Sequence, residues 1–260
     1  MNLLFWTFEP ESVDILRAWD AIFSHLVKFN GEQTKVRLQG VALPAKEVRA
    51  ALRPESSRYV ETHNWADAMN AAARGEMYKG EEWTVHWFKT ARDYSAIRFC
   101  SPPGSLGDLE ALIEHVATAG LFLQGGILDY VYDYWQNAED PLHYEHAGKS
   151  YAELPMRTNG LLYPLTQDII DIRSNPGRSP LADGYNEFVS SPMWLSKAFL
   201  SRRQASATSI PSGYSHEWRG ENLKVWCDYR PFATDDERQS ALQNALRRWL
   251  YRAVETPRLN

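Results

Sequence analysis

Cysteine is scarce in this sequence, and its scarcity excludes two kinds of stabilisation. Only two cysteines occur among 260 residues, Cys100 and Cys227, and they are far apart along the chain. A disulfide framework or a cysteine-ligated zinc site needs closely spaced cysteines, which are missing here. The sequence therefore predicts a reduced, cytoplasmic protein whose stability comes from an ordinary hydrophobic core.

Long apolar runs and nucleotide-binding glycine patterns are missing as well. No stretch approaches the roughly twenty apolar residues that span a bilayer. The opening residues MNLLFWTFEPESVD lack the basic start of a secretory signal. We therefore expect neither secretion nor membrane insertion. No pattern predicts a cofactor, and a formal charge of −5 disfavours nucleic acid as a direct ligand.

Aromatic residues are abundant, with ten Trp, thirteen Tyr and ten Phe. Hairpins mixed with helices, without regular βαβ repetition, predict an α+β fold in which antiparallel hairpins and a mixed sheet pack against amphipathic helices. The predicted strands cover residues 2–8, 35–43, 82–89, 94–101, 127–135, 213–220 and 222–229. The predicted helices cover residues 10–30, 44–52, 65–73, 105–120 and 193–200, with a terminal helix that Thr234 caps.

The middle of the chain changes in composition. Residues 136–212 are rich in Pro, Gly and Ser, which predicts irregular loops broken by short helices. We therefore divide the chain into an N-terminal α+β subdomain, residues 1–140, and a C-terminal subdomain, residues 141–260. The second contains the loop-rich segment, a hairpin and the terminal helix. One continuous domain is the alternative.

The stretch ILDYVYDYWQNAEDPLHYEH, residues 127–146, combines acids with aromatic side chains and has no Lys or Arg. It lies in a longer segment, residues 99–148, that contains eight acids and no Lys or Arg. Such a surface speeds the encounter with a basic protein, and Tyr and Trp supply rigid contacts. An ordinary solvated acidic face is the alternative. The candidate partner-binding residues are Asp129, Tyr130, Tyr132, Asp133, Tyr134, Trp135, Glu139 and Asp140.

Two other functions stay open. If residues 127–135 form a strand, Asp129 and Asp133 share one face with Trp135. A carboxylate pair beside a Trp is typical of a carbohydrate-active hydrolase. Alternatively, the aromatic residues belong to a non-catalytic subunit of a larger assembly. His143 and His146 lack the helical spacing of a zinc motif, so we expect a loop with histidines there and no metal site.

Four stretches carry a family resemblance: the aromatic opening LLFWTFEP, the strand KVRLQGVALP before a helix, the Trp-rich WTVHWF, and the acidic aromatic run from Ile127 to Asp140. With these features the chain resembles bacterial immunity proteins that accompany polymorphic toxins of type VI secretion, most nearly the immunity protein 52 family. The resemblance implies a cytoplasmic, non-enzymatic α+β protein that binds and neutralises a cognate nuclease-type toxin. It implies no catalytic residue.

Overall fold

A computed structural model of the protein describes residues 2–10, 12–30, 35–38, 41–44, 47, 83–89, 92–101 and 106–251. Within these ranges the strands are β1 (Asn2–Phe8), β2 (Lys35–Leu38), β3 (Val41–Pro44), β4 (Trp83–Lys89), β5 (Ser95–Ser101), β6 (Phe122–Asp129), β7 (Met156–Thr158), β8 (Asp168–Ile170), β9 (Leu181–Ala182), β10 (Tyr185–Asn186), β11 (Met193–Ser196), β12 (Ser215–Arg219) and β13 (Asn222–Trp226). The helices are α1 (Ile15–Asn30), α2 (Leu106–Val116), α3 (Tyr130–Asn137), α4 (Pro141–His146), α5 (Lys197–Arg202) and α6 (Glu237–Leu250).

One large sheet organises these elements. Its nine strands follow the order β12-β13-β11-β6-β1-β5-β4-β2-β3. All neighbouring pairs are antiparallel except β2 and β4, which run parallel. The predicted α+β class with a mixed sheet is therefore confirmed. Strand β6 pairs with β11, so the sheet includes strands from both sides of residue 140.

The central strand β1 is buried on both faces. Leu4, Trp6 and Phe8 point to one side and pack with residues of α1 and α2. Leu3 and Phe5 point to the other side and pack with residues of α5 and α6. A strand covered on both faces reads as a continuous apolar run rather than as an alternating one, which explains the sequence NLLFWTF. The sheet thus separates two hydrophobic cores.

Most of the other predicted elements are confirmed as well. The hairpins β4–β5 and β12–β13 and the helices α1, α2 and α6 form where their patterns predicted them. The terminal helix is capped by Asp236, whose side chain accepts from the backbone N–H of Gln239, and not by Thr234. The helix predicted over residues 65–73, and most of the one predicted over 44–52, lie outside the described residues.

Three predictions about strands and helices were wrong. Residues 35–43 form not one strand but the antiparallel pair β2 and β3, with Leu38 opposite Val41. Residues 39–40, which separate the two strands in the sequence, lie outside the described residues. Residues 193–200 begin as strand β11 and only then become helix α5. Finally, the strand predicted over 127–135 ends at Asp129, where helix α3 begins.

We predict that Gly126→Ala destabilises the junction between β6 and β11. A β-carbon at Gly126 would lie 1.9 Å from Oγ of Ser190 and 3.0 Å from its Cβ. Overpacking of this kind costs about 1–3 kcal/mol, measurable by urea unfolding. Adding Ser190→Gly removes the clash and should recover part of the loss. A double variant no more stable than Gly126→Ala would contradict this explanation.

Candidate functional site

The acidic aromatic stretch begins with a change from strand to helix. The carboxylate of Asp129 accepts a hydrogen bond of 2.8 Å from the backbone N–H of Tyr132, which caps helix α3. Such a cap supplies a partner to a backbone donor that the first helical turn leaves unpaired. This local bond favours a helix, against the strand preference of Tyr and Val. The shared strand face expected for Asp129, Asp133 and Trp135 is therefore not formed.

Asp133 lies one helical turn after Asp129 and is buried, with 7% of its surface exposed. Asn137 donates to its carbonyl oxygen at 2.8 Å and to its Oδ1 at 3.3 Å. Burial raises the pKa of the Asp133 carboxyl to about 6, while the charge of Arg98 on β5 opposes the shift and that of Asp129 adds to it. The recess beside Asp133 has room for about one water molecule. A sugar ring does not fit there.

The tyrosines of this stretch belong to the interior more than to the surface. The Tyr132 hydroxyl accepts a bond of 2.8 Å from Nε2 of Gln243 on α6, and burial raises its pKa to about 12. Tyr130 packs against the core beneath α5 and α6. Tyr134 is buried and meets the Trp135 ring edge-on, with 4.8 Å between ring centroids. These rings fix α3 in place.

The acids of residues 99–148 also have partners within the fold. Glu139 binds Arg157 at 2.6 Å, and Glu110 binds the buried Lys224 at 2.6 Å. Asp140 caps α4 by accepting from the N–H of Leu142. Two further acids accept side-chain hydrogen bonds, Glu114 from Trp194 and Glu145 from Tyr151. The segment is therefore less free to meet a partner than its composition indicates.

The eight residues predicted to bind a partner all lie on α3 or next to its ends, but they differ in exposure. Asp133 and Tyr134 are buried, and Asp140 is exposed. The other five are half-buried: Asp129, Tyr130, Tyr132, Trp135 and Glu139. Whether they contact a partner stays a prediction. In this conformation, only the outer atoms of the half-buried residues and Asp140 are within its reach.

Sequence reasoning missed a hairpin that packs against the acidic aromatic stretch. Strands β7 and β8 pair antiparallel, and Ile170 at the end of β8 packs with Tyr134 and Tyr144. The connection between the strands, residues 159–167, is called the hairpin tip below. It exposes four large apolar side chains: Leu161 (55%), Leu162 (88%), Tyr163 (91%) and Leu165 (64%). The sequence signal is Asn159-Gly160 followed by an apolar run, and it lies in the segment predicted to form irregular loops.

His143 and His146 lie on the short helix α4 and not in the loop expected from the sequence. Within the described residues, no three or more His, Cys, Asp or Glu side chains are placed to hold a metal ion. None of the helices in the described part of the chain is long and apolar enough to cross a membrane.

The buried carboxyl of Asp133 predicts an unusual dependence of stability on pH. Its pKa of about 6 exceeds the ordinary 3.8, so the folded state holds the proton more tightly than the unfolded state. The stability it contributes is present below about pH 4 and lost as pH rises through about 6. Asp133→Asn should flatten this dependence and raise stability at pH 7.5 by about 1–3 kcal/mol, because a neutral amide avoids the cost of burying a charge. The loss of the attraction between Asp133 and Arg98 offsets part of this gain.

Urea unfolding at pH 4.5 and pH 7.5 measures this effect. The matched control is Asp228→Asn, because the Asp228 side chain is 90% exposed. The control should keep the profile of the unmodified protein. A profile that Asp133→Asn leaves unchanged would show that this carboxyl is not the titrating group.

Comparisons with known proteins bear on the fold. No protein-family model matches the chain, and no curated protein matches it. Among solved structures, the chain is similar to the Pseudomonas aeruginosa T6SS protein PA0821, with a TM-score of 0.51 and 13% sequence identity. The match covers 96% of this chain and 73% of that one. At this identity the likeness extends to the fold alone, and the immunity protein 52 family remains a resemblance.

Proposed function

We propose that this chain is a cytoplasmic immunity protein that binds and neutralises a cognate bacterial toxin delivered by type VI secretion. In this proposal it has no catalytic activity of its own. The toxin is a basic, nuclease-type protein, because a surface that grips phosphates needs Lys and Arg. The contact surface is the acidic module, defined as residues 127–173, which contains α3, α4 and the β7–β8 hairpin.

The distribution of charge in the acidic module carries this proposal. The module contains eight acids and three bases. Two of the bases form ion pairs within the module. Arg157 pairs with Glu139 and Asp171, and Arg173 pairs with Asp171. The acids that are exposed are Asp140, Glu145, Glu153 and Asp168. The exposed bases are Lys149 and Arg173, so exposed acids outnumber exposed bases by four to two. The accessible charge is therefore negative, which attracts a basic protein and increases its association rate.

Two likenesses support the setting of the proposal. The solved structure with a similar fold is itself described as a T6SS protein. The aromatic opening and the acidic aromatic run resemble immunity proteins of type VI toxins. Protection against a toxin requires a tight complex and no chemistry, which agrees with a module whose carboxylates act as helix caps and ion pairs.

A subunit of a larger assembly is the second candidate, and the exposed hairpin tip favours it. A monomer rarely leaves several large apolar side chains exposed side by side. In a permanent assembly, the tip would be covered at all times. This candidate predicts that the purified chain oligomerises or aggregates, whereas the immunity proposal predicts a stable monomer that forms a complex only with its toxin. Light scattering distinguishes the two.

The charge proposal predicts a specific loss of association rate. The partner would be recovered with the tagged protein from a lysate of its own organism and then purified. Replacing Glu153 and Asp168 by Lys should slow association about tenfold or more at 50 mM salt, and less at 300 mM, because salt screens exposed charges. Stopped-flow or surface plasmon resonance measures both rates.

The matched control replaces Asp183 and Asp228 by Lys, since their side chains are 87% and 90% exposed and lie outside the acidic module. This control carries the same change in net charge and should slow association much less. Producing the partner with this protein in one host should also restore growth that the partner alone arrests. A partner that is not basic, or growth that stays arrested, would contradict the proposal.

A further inference from the structure

The hairpin tip combines exposure with an absence of charge. Its residues 159–167, NGLLYPLTQ, include no Asp, Glu, Lys or Arg. Leu162 and Tyr163 at its centre are 88% and 91% exposed. Exposed apolar side chains that stand together usually mark a place where another molecule binds. Nothing in the described part of the chain covers them.

Hydrogen bonds within the tip hold it in one shape. Oδ1 of Asn159 accepts from the backbone N–H of Leu161 at 3.1 Å and of Gln167 at 3.2 Å. Nδ2 of Asn159 donates to the carbonyl oxygen of Leu165 at 2.9 Å. The N–H of Leu165 donates to the carbonyl oxygen of Leu162 at 2.9 Å, which closes the turn around Tyr163. The apolar side chains are therefore presented by an ordered backbone, which lowers the entropy lost on binding.

The base of the hairpin is fixed to the folded core. The N–H of Ile170 donates to the carbonyl oxygen of Glu139 at 2.8 Å, and the carboxylate of Glu139 binds Arg157 of β7 at 2.6 Å. Arg157 also lies 3.8 Å from Asp171, just after β8. Helix α3 and its C-terminal end thus support the hairpin as a projecting element and do not cover its tip.

We infer that the hairpin tip inserts Leu162 and Tyr163 into an apolar pocket of the partner protein, and that the rim of this pocket is basic. The inference rests on the proposed function and names the element that makes the central contact. Interfaces usually draw most of their affinity from a few rigid aromatic or apolar side chains in a dry pocket, surrounded by a polar rim. Here the hairpin tip supplies the apolar side chains, and the exposed acids of the acidic module supply the polar surroundings.

Charge selects a protein pocket over other occupants. A lipid surface that takes up an apolar loop usually binds basic residues beside it, because cytoplasmic leaflets are anionic. Beside this tip the exposed charges are acidic, namely Asp168 directly after it and Glu153 before β7, whereas the half-buried Arg157 that precedes it is paired with Glu139. In a dimer in which the tip of each copy binds the acidic module of the other, like charges would come together, which costs binding energy.

The test compares two paired variants of the full chain against the purified partner. Leu162→Ser with Tyr163→Ser should raise the dissociation constant about 30-fold or more, as for a truncated hot spot. Both side chains are exposed, so the melting temperature should change little. Leu121→Ser is the control, because Leu121 is 66% exposed but lies before β6, outside the module. It should change the dissociation constant by less than about 3-fold.

A photoreactive group at position 163 then identifies the pocket. Tyr163→p-benzoylphenylalanine should cross-link to apolar residues of the partner that have Lys or Arg around them. Equal affinity of the paired variant and the unmodified protein would overturn the docking inference and leave the immunity proposal intact. Failure of the unmodified protein to bind any partner would overturn both. Tip-dependent binding to anionic vesicles, or tip-dependent dimerisation, would overturn the inference in favour of lipid or of a second copy.

Discussion

Burial of β1 and β6 on both faces is the constraint on which the rest of the structure depends. Because Leu4 and Trp6 need cover on one side and Leu3 and Phe5 on the other, helices must lie on both faces of the sheet. After β6 the chain turns at Asp129 into α3, whose Tyr130 packs against the core on the side of α5 and α6. That turn places the aromatic rings of α3 beneath the β7–β8 hairpin. One capped helix thus connects the core of the protein to its most exposed apolar element.

The acids of the central segment show why composition alone overstates a binding surface. Glu110 and Glu139 pair with Lys224 and Arg157, bases that lie far along the chain or in another element. The segment has no bases of its own, and the fold brings these two from elsewhere in the chain. What remains accessible is the set of acids near the hairpin, so the negative surface is smaller and lies closer to an apolar contact than the sequence indicated. An exposed apolar tip in the same module as exposed acids suits a single, specific partner better than a broad acidic face does.

Local patterns predicted the fold class and most regular elements, because the hairpins, α1 and α6 have a clear period and defined ends. They failed where two signals competed. Tyr and Val in residues 130–134 favour a strand, but the hydrogen bond from Tyr132 to Asp129 favours a helix, and only tertiary packing decides between them. The hairpin tip was missed for a different reason: a run such as Leu161-Leu162-Tyr163 normally predicts burial, and no local rule shows that it is exposed.

Hydrogen exchange of the full chain, alone and in complex with the purified partner, tests the central claim most directly. The claim is that the partner covers the hairpin tip and the acids beside it. The account predicts slower exchange on binding for the amides of residues 159–167 and of the exposed ends of α3 and α4, with little change in β12 and α6. Protection confined to other parts of the chain, with unchanged exchange across residues 159–167, would contradict it.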